Sequence, residues 1–452
     1  MVDLLPVRAY HPAEQSAASL ISPVYDTLSD TDFRRFSKDP NNASTFVARP
    51  TSMGLAEFLS TAPGRVQASL RARAYVQDEE EALYVYGIRY VPPADVQEAI
   101  PQESRRPGYL LLGLVGSLDL AHTPESMIAP HESTFADRVA ERVQLTEATG
   151  MTFAPILAGY TLPNHAINNL LEKTLGMDRR SMFHEGTVEP IVRVTLDGTE
   201  HRLWRLEDHR VRTNLLRLVA PLRILILDGH HRYAAARELL RRGRPGSSPL
   251  VMLVESRDRA LRLLPWHRAL PSTVVSVPEL VRQAGTRFPT IASLGSPSSV
   301  EPVLVELARM ARDHERGFVA VGPRDVSRFS GPASADGGAD FDLLHGFLEQ
   351  TFHCDPHDFG FFRSPRQALE AVWNPGTPWS GGVALLLPAL QQEAIEERAF
   401  STGRPMAQKS TMFLPKVAEG VLFSPARPLN PKKGEGHPSD RGGLSPEPVT
   451  DS

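Results

Sequence analysis

The sequence predicts an α/β protein in which helices and strands are mixed, and two observations support this. Short apolar runs of strand length alternate along the chain with longer segments of helical periodicity. Turn-forming Gly, Pro, Asn and Asp residues separate these segments. Because 452 residues exceed what one hydrophobic core usually holds, we expect an N-terminal α/β region over 1–270, a C-terminal α/β region over 271–425 and a disordered tail over 426–452.

Each element is predicted from its local pattern. Helical periodicity marks residues 54–77 and the charged segment after Thr134. Apolar or alternating runs predict strands at 82–90, 109–120, 152–160, 224–227, 250–255 and 382–387, and a hairpin at 191–206 with its turn at Asp197-Gly198. Residues 278–350 are expected to form a helical insertion with a Ser/Gly/Ala-rich loop at 330–338.

Composition and charge exclude several classes of protein. Acidic residues outnumber basic residues by 53 to 49, and the formal net charge of -4 offers no basic field for nucleic acid. Cys354 is the only cysteine, which excludes intramolecular disulfides and all-cysteine metal sites and predicts a reducing compartment. The first residues lack the order of a signal peptide, and no apolar run has the length of a membrane span. We therefore expect a cytoplasmic protein without a nucleic-acid or membrane partner.

The stretch from Arg223 to Arg242, R-I-L-I-L-D-G-H-H-R-Y-A-A-A-R-E-L-L-R-R, carries the strongest functional signal. Ile224 to Leu227 predicts a strand that is buried on both faces. Good helix formers from Tyr233 onward predict a helix that Gly243 ends. The turn between the two elements is D-G-H-H-R.

A helix that begins directly after a strand and a glycine points its first free N–H groups at any anion beyond the strand. The turn therefore predicts a phosphate site made of Gly229, His230, His231 and Arg232. Asp228 needs a separate explanation, because a carboxylate beside a phosphate is repelled. Binding of Mg²⁺ or general-base catalysis would explain it, and the alternative is that Asp228 only caps the helix.

Two other stretches supply candidate catalytic and binding residues. In H-E-S-T, Glu132 is a candidate base and His131 a candidate phosphate ligand, although the stretch also has the residues of a helix cap. In Q-K-S-T, Lys409 is a candidate phosphate-binding lysine, and Ser410 and Thr411 offer hydroxyls. Lysine is scarce in this chain, which favours a specific role for Lys409 over the later Lys416.

Further candidates lie near the start of the chain and after the central motif. In S-P-V-Y-D, Tyr25 and Asp26 stand at a turn where they can line a substrate pocket or simply pack on the surface. In L-P-W-H-R, His267 and Arg268 are candidate substrate ligands or an ordinary loop packed by the tryptophan. The stretch H-C-D-P-H at 353–357 has metal-ligating residue types, but its spacing fits no standard zinc pattern.

Several catalytic fingerprints are missing from the sequence. No G-x-S-x-G elbow, G-x-G-x-x-G loop or G-x-x-x-x-G-K loop occurs, so hydrolase, dehydrogenase and P-loop interpretations find no support.

The motifs S-P-V-Y-D, H-E-S-T, D-G-H-H-R, L-P-W-H-R and M-A-Q-K-S-T-M-F-L-P-K, in this order, resemble the bacterial domain-of-unknown-function 1015 family over residues 5–425. The stretch G-H-H-R-Y-A-A-A also resembles the phosphate-binding motif of the ParB and sulfiredoxin superfamily. That superfamily includes a DNA-segregation CTPase, a sulfinic-acid reductase and kinases for free serine.

These resemblances imply a ParB/sulfiredoxin-like nucleotide-binding core with N-terminal and C-terminal elaborations. They imply a phosphate cradle at Gly229 to Arg232 and a metal-binding or catalytic role for Asp228. The catalytic cysteine of sulfiredoxin would fall at His230, so its redox chemistry is not implied. No helix-turn-helix pattern follows Arg242, so chromosome binding is not implied either.

The leading hypothesis is a kinase that uses ATP, ADP or CTP with Mg²⁺ to phosphorylate the hydroxyl of a small amino acid, namely free serine. Asp228, Glu132, His131 and His230 would be its catalytic residues. One alternative is a non-catalytic sensor of a nucleotide or phosphometabolite, and another is a ParB-like nucleotide switch.

Overall fold

The structure, a computed structural model, describes residues 1–13, 17–93, 96, 106–178, 185–296, 299–332, 340–354, 358–390, 392–407 and 409–428. It is a mixed α/β fold, as the sequence predicts. Within these ranges, no helix combines the length and the apolar character that crossing a membrane requires.

The strands are short, and most belong to two sheets. In chain order they are β1 (Leu4–Leu5), β2 (Tyr10–Pro12), β3 (Tyr75–Gln77), β4 (Leu83–Tyr90), β5 (Tyr109–Leu118), β6 (Ile128–Pro130), β7 (Met151–Thr152), β8 (Ile156–Tyr160), β9 (Val192–Leu196), β10 (Thr199–Leu206), β11 (Ile224–Asp228), β12 (Leu250–Glu255), β13 (Arg262–Pro265), β14 (His267–Leu270), β15 (Thr290–Gly295), β16 (Gly317–Val321), β17 (Val326–Ser330), β18 (Gly360–Phe362), β19 (Val383–Leu386), β20 (Thr411–Leu414) and β21 (Ser424–Pro425).

The helices cover the sheets and vary from one turn to almost five. In chain order they are α1 (Ala17–Leu20), α2 (Asp30–Phe36), α3 (Ser44–Val47), α4 (Leu55–Arg71), α5 (Ala136–Thr149), α6 (Ala166–Leu175), α7 (His209–Val219), α8 (His230–Arg241), α9 (Val277–Gln283), α10 (Glu301–Arg312), α11 (Asp340–Phe352), α12 (Pro365–Trp373) and α13 (Gln392–Ser401). Short 3₁₀ helices lie at Tyr25–Thr27, Glu125–Met127, Pro163–His165 and Gly285–Arg287.

The first sheet has nine strands in the order β6-β11-β8-β12-β5-β4-β10-β9, with β1 beside β5. The pairs β6–β11 and β8–β12 are parallel, and the other pairs are antiparallel. Because parallel strands end at the same edge of a sheet, the residues that follow β6 and β11 meet there. This pairing positions the candidate site.

Strand β11 is buried on both faces, as its unbroken apolar run predicts. Ile224 and Ile226 pack into one hydrophobic core, and Leu225 and Leu227 pack into the core on the opposite face. The hairpin of β9 and β10 also forms as predicted, and both residues of its turn, Asp197 and Gly198, have positive φ.

The second sheet is antiparallel throughout, with the order β15-β17-β16-β19-β14-β18. It corrects the expectation that residues 278–350 are helical, because β15, β16 and β17 lie within that segment. These strands are brief, and the amphipathic pattern of α10 dominates the segment, so the local periodicity misleads. The predicted division at residue 270 stays a prediction. Strand β14 belongs to this sheet, and β20 returns to pair with β13.

The predicted disordered tail begins too early. The backbone N–H of Ala426 donates to the carbonyl oxygen of Gly150 at 2.8 Å, and Arg427 donates to the carbonyl oxygen of Pro6 at 2.6 Å. The chain is therefore held to the end of α5 and to the residue after β1 as far as these residues, and 429–452 lie outside the described part.

His267 and Arg268 are not placed to act as the substrate ligands that the sequence suggests as one possibility, because strand β14 buries both. The N–H of Leu387 donates to Nδ1 of His267 at 3.2 Å. Arg268 is fully buried and donates to the carbonyl oxygens of Trp266 and Lys409, the latter at 2.9 Å. Burial lowers the pKa of Arg268 to about 9. We therefore leave both residues out of the candidate substrate site and assign them to the contact between the second sheet and the 409 turn.

The buried imidazole of His267 makes stability depend on pH. Burial, and secondarily the charge of Arg268, lowers its pKa to about 3, so the unfolded chain binds a proton below pH 6.5 that the folded chain does not. The contribution of His267 to the free energy of unfolding is therefore complete above pH 6.5. It falls by about 1.4 kcal/mol per pH unit toward pH 3. We expect urea unfolding to show a shallower loss between pH 6.5 and 4.5 in His267→Asn than in the wild type. The exposed His209→Asn is the control, and parallel curves for wild type and His267→Asn would contradict this assignment.

Candidate functional site

A strand, a glycine and a helix form the centre of the candidate site, as the sequence predicts. Strand β11 ends at Asp228, Gly229 has φ 90° and ψ 30°, and α8 begins at His230. The first helical hydrogen bond runs from the N–H of Tyr233 to the carbonyl oxygen of Gly229, so the amides before it have no partner within the helix. These amides and the positive end of the helix dipole can bind an anion.

Gly229 is required both by its backbone angle and by its neighbour. A Cβ at this position would lie 2.9 Å from Nη2 of Arg232. We expect Gly229→Ala to lower the free energy of unfolding by more than Gly198→Ala, which has φ 80° but open space around its Cβ. The left-handed conformation alone accounts for about 1–2 kcal/mol in each variant. Equal losses in urea unfolding would show that the contact with Arg232 has no weight.

Asp228 is held between two cations. The ammonium of Lys416 donates to Oδ1, and Nη2 of Arg232 lies 3.6 Å from Oδ2. Burial alone would raise the pKa of Asp228, but the charges of Lys416 and Arg232 outweigh burial and hold the pKa below its ordinary value. The carboxylate is therefore ionised and already neutralised. Mg²⁺ would be a third cation beside this carboxylate and would be repelled by Lys416 and Arg232, so the geometry gives the predicted magnesium role no direct support.

Arg232 is predicted to bind phosphate, but its guanidinium is engaged elsewhere in the structure. Its Nη1 donates to the carbonyl oxygens of Ala154 and Pro155, at 2.6 and 3.0 Å. The guanidinium thus lies across Gly229 and tethers the start of α8 to the loop before β8. In this arrangement Arg232 orients Asp228.

His131 and Glu132 meet the helix start because β6 runs parallel to β11. The Nδ1 of His131 is 2.6 Å from the carbonyl oxygen of Ile226 and 3.3 Å from Nε2 of His230. The carboxylate of Glu132 accepts from both the backbone N–H and the hydroxyl of Thr411, each at 2.6 Å. Thr411 is the first residue of β20, so this strand closes the site from the C-terminal half.

A continuous path for one proton joins Glu132 to His131. The Thr411 hydroxyl is 2.6 Å from Nε2 of His131 and 2.6 Å from Glu132 Oε1, and a hydroxyl has only one proton to donate. Burial lowers the pKa of His131, which favours the neutral ring with Nδ1–H donating to Ile226. Burial, with the charge of His131 next, lowers the pKa of His230 well below its ordinary value. The Thr411 hydroxyl can donate either to Glu132 or to His131. It can therefore change from one acceptor to the other when a proton moves.

The remaining phosphate candidates occupy different positions. The N–H of Phe135 donates to Nε2 of His231 at 3.2 Å, and the two rings stack. The ammonium of Lys409 lies 5.3 Å from the ring centre of Trp266, and the hydroxyl of Ser410 donates to the carbonyl oxygen of Ala407. Among the described residues of Q-K-S-T, Thr411 is thus the one that joins the proton path. Gln408 lies outside the described residues.

Tyr25 and Asp26 are adjacent in sequence but lie in different environments. Tyr25 packs beneath Arg142, whose guanidinium carbon is 4.0 Å from the ring centre, and burial raises the pKa of Tyr25 to about 12. Asp26 is exposed. The structure therefore brings Tyr25, but not the Asp26 side chain, into the interior near Arg232.

Three residues of the site region were missed or ranked too low. Lys416 was placed below Lys409, although it is Lys416 that contacts Asp228. The scarcity of lysine was the right signal, but it cannot choose between two lysines. Arg142 and Glu419 carried no local motif that would have identified them.

Among the described residues, no cluster of metal ligands forms around Asp228, for which the sequence suggests a magnesium role. Within the described ranges, Asp3, Asp119 and His122 lie close enough to share an ion, and that group does not include Asp228. Of the stretch 353–357, residues 355–357 lie outside the description, and burial raises the pKa of Cys354 to about 11.

Comparison with known proteins gives one family and several distant structures. A family model described as "Protein of unknown function (DUF1015)" matches residues 4–332. No curated protein matches the chain.

Solved structures align with about two thirds of the chain. A free serine kinase variant in complex with ADP has 12% identity and a TM-score of 0.35, and covers 64% of this chain and 84% of that chain. A conserved hypothetical protein from Pyrococcus furiosus has 12% identity and a TM-score of 0.34, with coverages of 65% and 91%. C-terminally truncated SbnI from Staphylococcus aureus has 13% identity and a TM-score of 0.33, with coverages of 66% and 82%.

Proposed function

The chain belongs to the DUF1015 family, and we propose that it is a nucleotide-dependent phosphotransferase that acts on the hydroxyl of a small amino acid, namely free serine. The observation that carries the proposal is a meeting of three features at one sheet edge. These are the free start of α8, the Asp228–Lys416 pair, and Glu132 with its path through Thr411.

The phosphates of the nucleotide would lie at the start of α8. The first amides of the helix donate to phosphate oxygens, and Lys416 supplies a compact cation beside them. Its side chain is 28% exposed, so it can move from Asp228 to a ligand. Asp228 would then hold Lys416 in place before the nucleotide binds.

The acceptor hydroxyl would lose its proton to Glu132. Its side chain is 13% exposed, so a small substrate can reach it. The N–H of Thr411 fixes one carboxylate oxygen, and the Thr411 hydroxyl offers a route by which the proton passes to His131. Phosphoryl transfer needs mainly positioning and charge neutralisation, and these residues supply both. Mg²⁺ bound with the nucleotide would neutralise phosphate charge, and Asp228 would meet it only against the charges of Lys416 and Arg232.

A direct assay tests the proposal. Purified protein is incubated with Mg²⁺, one of ATP, ADP or CTP, and a pool of serine, threonine and homoserine, and products are identified by mass spectrometry. We expect phosphoserine to form with at least one nucleotide and to disappear when the nucleotide is omitted. Nucleotide binding without any phosphorylated product would contradict the phosphotransferase and favour the sensor.

The second candidate is a non-catalytic sensor of a nucleotide or phosphometabolite. The observation that favours it is the neutralisation of Asp228 by two cations, which leaves no free carboxylate for a metal at the helix start. A sensor needs the helix start and Lys416 but does not need Glu132. A ParB-like nucleotide switch would share this cradle, and the charge of -4 offers no support for DNA as its partner.

A further inference from the structure

A small cavity that is partly open to solvent lies beside Arg232. Its volume is about 50 Å³, enough for a few water-sized groups at about 10–15 Å³ each. One end is polar and is lined by Tyr25, Arg142, Arg232 and Glu419. The other walls are largely apolar and come from α5, α8 and the strands beneath them.

The polar end contains charged atoms that have no partner. Glu419 is 1% exposed and Arg142 is 6% exposed, yet Oε2 of Glu419 and Nε of Arg142 accept or donate no hydrogen bond within the described residues. The Nε of Arg232 also donates no hydrogen bond within the described residues. Leaving the buried Oε2 of Glu419 unsatisfied is costly, and Glu419, Arg142 and Arg232 line the same cavity, so a ligand there that pairs with Glu419 would remove this cost.

Other hydrogen bonds hold Arg142 and Glu419 in position. Arg142 is held by the carbonyl oxygen of Val47 at 2.8 Å and by Glu141 at 2.5 Å. Glu419 accepts from the backbone N–H of Tyr25 at 3.5 Å through Oε1. In the described part of the chain, Glu419 makes no ion pair with either arginine, although all three line the same space. A gap therefore separates the carboxylate from the guanidinium groups.

We propose that this cavity binds the charged end of an α-amino acid, with its carboxylate on Arg142 and Arg232 and its ammonium on Glu419. The two guanidinium groups and one carboxylate match the opposite charges that a zwitterion carries on a single carbon. Simple anions would satisfy the arginines but would leave Glu419 unpaired. Because the cavity holds only a few water-sized groups, it takes the charged end of the amino acid, and the side chain extends toward the open side.

This inference rests on the proposed function in one respect, which is that the bound amino acid is the phosphate acceptor. Arg232 lines the cavity and also lies 3.6 Å from Asp228, so an occupant of the cavity adjoins the proposed phosphate site. Burial raises the pKa of Glu419, and a ligand ammonium beside it would lower that pKa.

Calorimetric titration of the full chain without nucleotide tests the site. We expect L-serine to bind, and we expect 3-hydroxypropanoate, which lacks the amino group, and ethanolamine, which lacks the carboxylate, to bind about 10- to 100-fold more weakly, as the loss of a charge-assisted hydrogen bond predicts. Glu419→Gln should weaken the affinity for L-serine by a similar factor. The affinity for 3-hydroxypropanoate should change less than about threefold, because this analogue already lacks the ammonium that Glu419 would bind.

Glu255→Gln is the matched control, because Glu255 is also 1% exposed but contacts His165 and Asn168 rather than the cavity. Equal affinity of the wild type for L-serine and 3-hydroxypropanoate would overturn the proposal even if Glu419→Gln failed to fold. Unchanged L-serine affinity in folded Glu419→Gln would overturn it as well. If the cavity proposal fails in this way but phosphoserine is produced, the proposed function still holds. If L-serine binds as expected but no product forms, the cavity proposal holds and the proposed function fails.

Discussion

Glu132→Gln is expected to lower turnover about 10³-fold while nucleotide affinity changes less than about threefold, because a general base contributes about 10²–10⁴-fold. Glutamine keeps the size of the side chain and can still accept the N–H of Thr411, which the wild-type carboxylate accepts at 2.6 Å. It cannot accept the proton of the substrate hydroxyl. Single-turnover product formation and equilibrium nucleotide titration measure the two effects separately.

Variants of Thr411 serve as the comparison for Glu132. Thr411→Val keeps the backbone N–H but removes the hydroxyl between Glu132 and His131, so we expect a smaller loss of turnover, about 10- to 100-fold. Thr411→Ser keeps the hydroxyl and should recover most of that loss. If Glu132→Gln keeps wild-type turnover, the base is elsewhere. If the wild type and every variant bind nucleotide but none has measurable turnover, the sensor is favoured.

Local pattern predicted the centre of the site well because all its information lies within a few residues. The apolar run of β11, the glycine and the helix formers of α8 follow one another directly, so the strand, the turn and the helix start could be placed without tertiary knowledge. The alternation of Ile224 to Leu227 between two cores follows from the same run.

The partners of that centre depend on strand pairing, which local pattern does not specify. His131 and Thr411 are 280 residues apart and touch because β6 lies beside β11 and β20 returns to the same edge. The direction of a side chain is equally hidden. Lys409 and Lys416 stand on either side of β20, yet one ammonium lies over Trp266 and the other bonds Asp228.

The errors elsewhere have the same origin. The sequence suggests His267 and Arg268 as substrate ligands or as a packed loop, but their place in β14 between β18 and β19 buries them. The strands of residues 278–350 are brief and partly polar, so helical periodicity on either side masked them. For His267 and Arg268, pairing with distant strands decides burial, which local pattern does not specify.

Lys416→Met is expected to lower the free energy of unfolding by about 3 kcal/mol, the low end of the range for breaking a buried ion pair, because Lys416 is 28% exposed. The loss arises because Asp228, 17% exposed, keeps only the more distant Arg232 as its cation. Asp228→Asn alone should lose less, since a freed Lys416 can reach water. Urea unfolding at pH 7 measures each value.

The double variant Lys416→Met with Asp228→Asn separates the stabilising role of the lysine from its role toward a ligand. Removing both charges should recover most of the lost stability, with a coupling energy of about 1.5 kcal/mol or more. Nucleotide affinity should stay as low as in Lys416→Met, because the cation that would meet the phosphates is still missing. Additive losses of stability would mean that the pair has no energetic weight. Recovery of affinity along with stability would mean that Lys416 only supports the fold, and the phosphate site would then rest on the helix start alone.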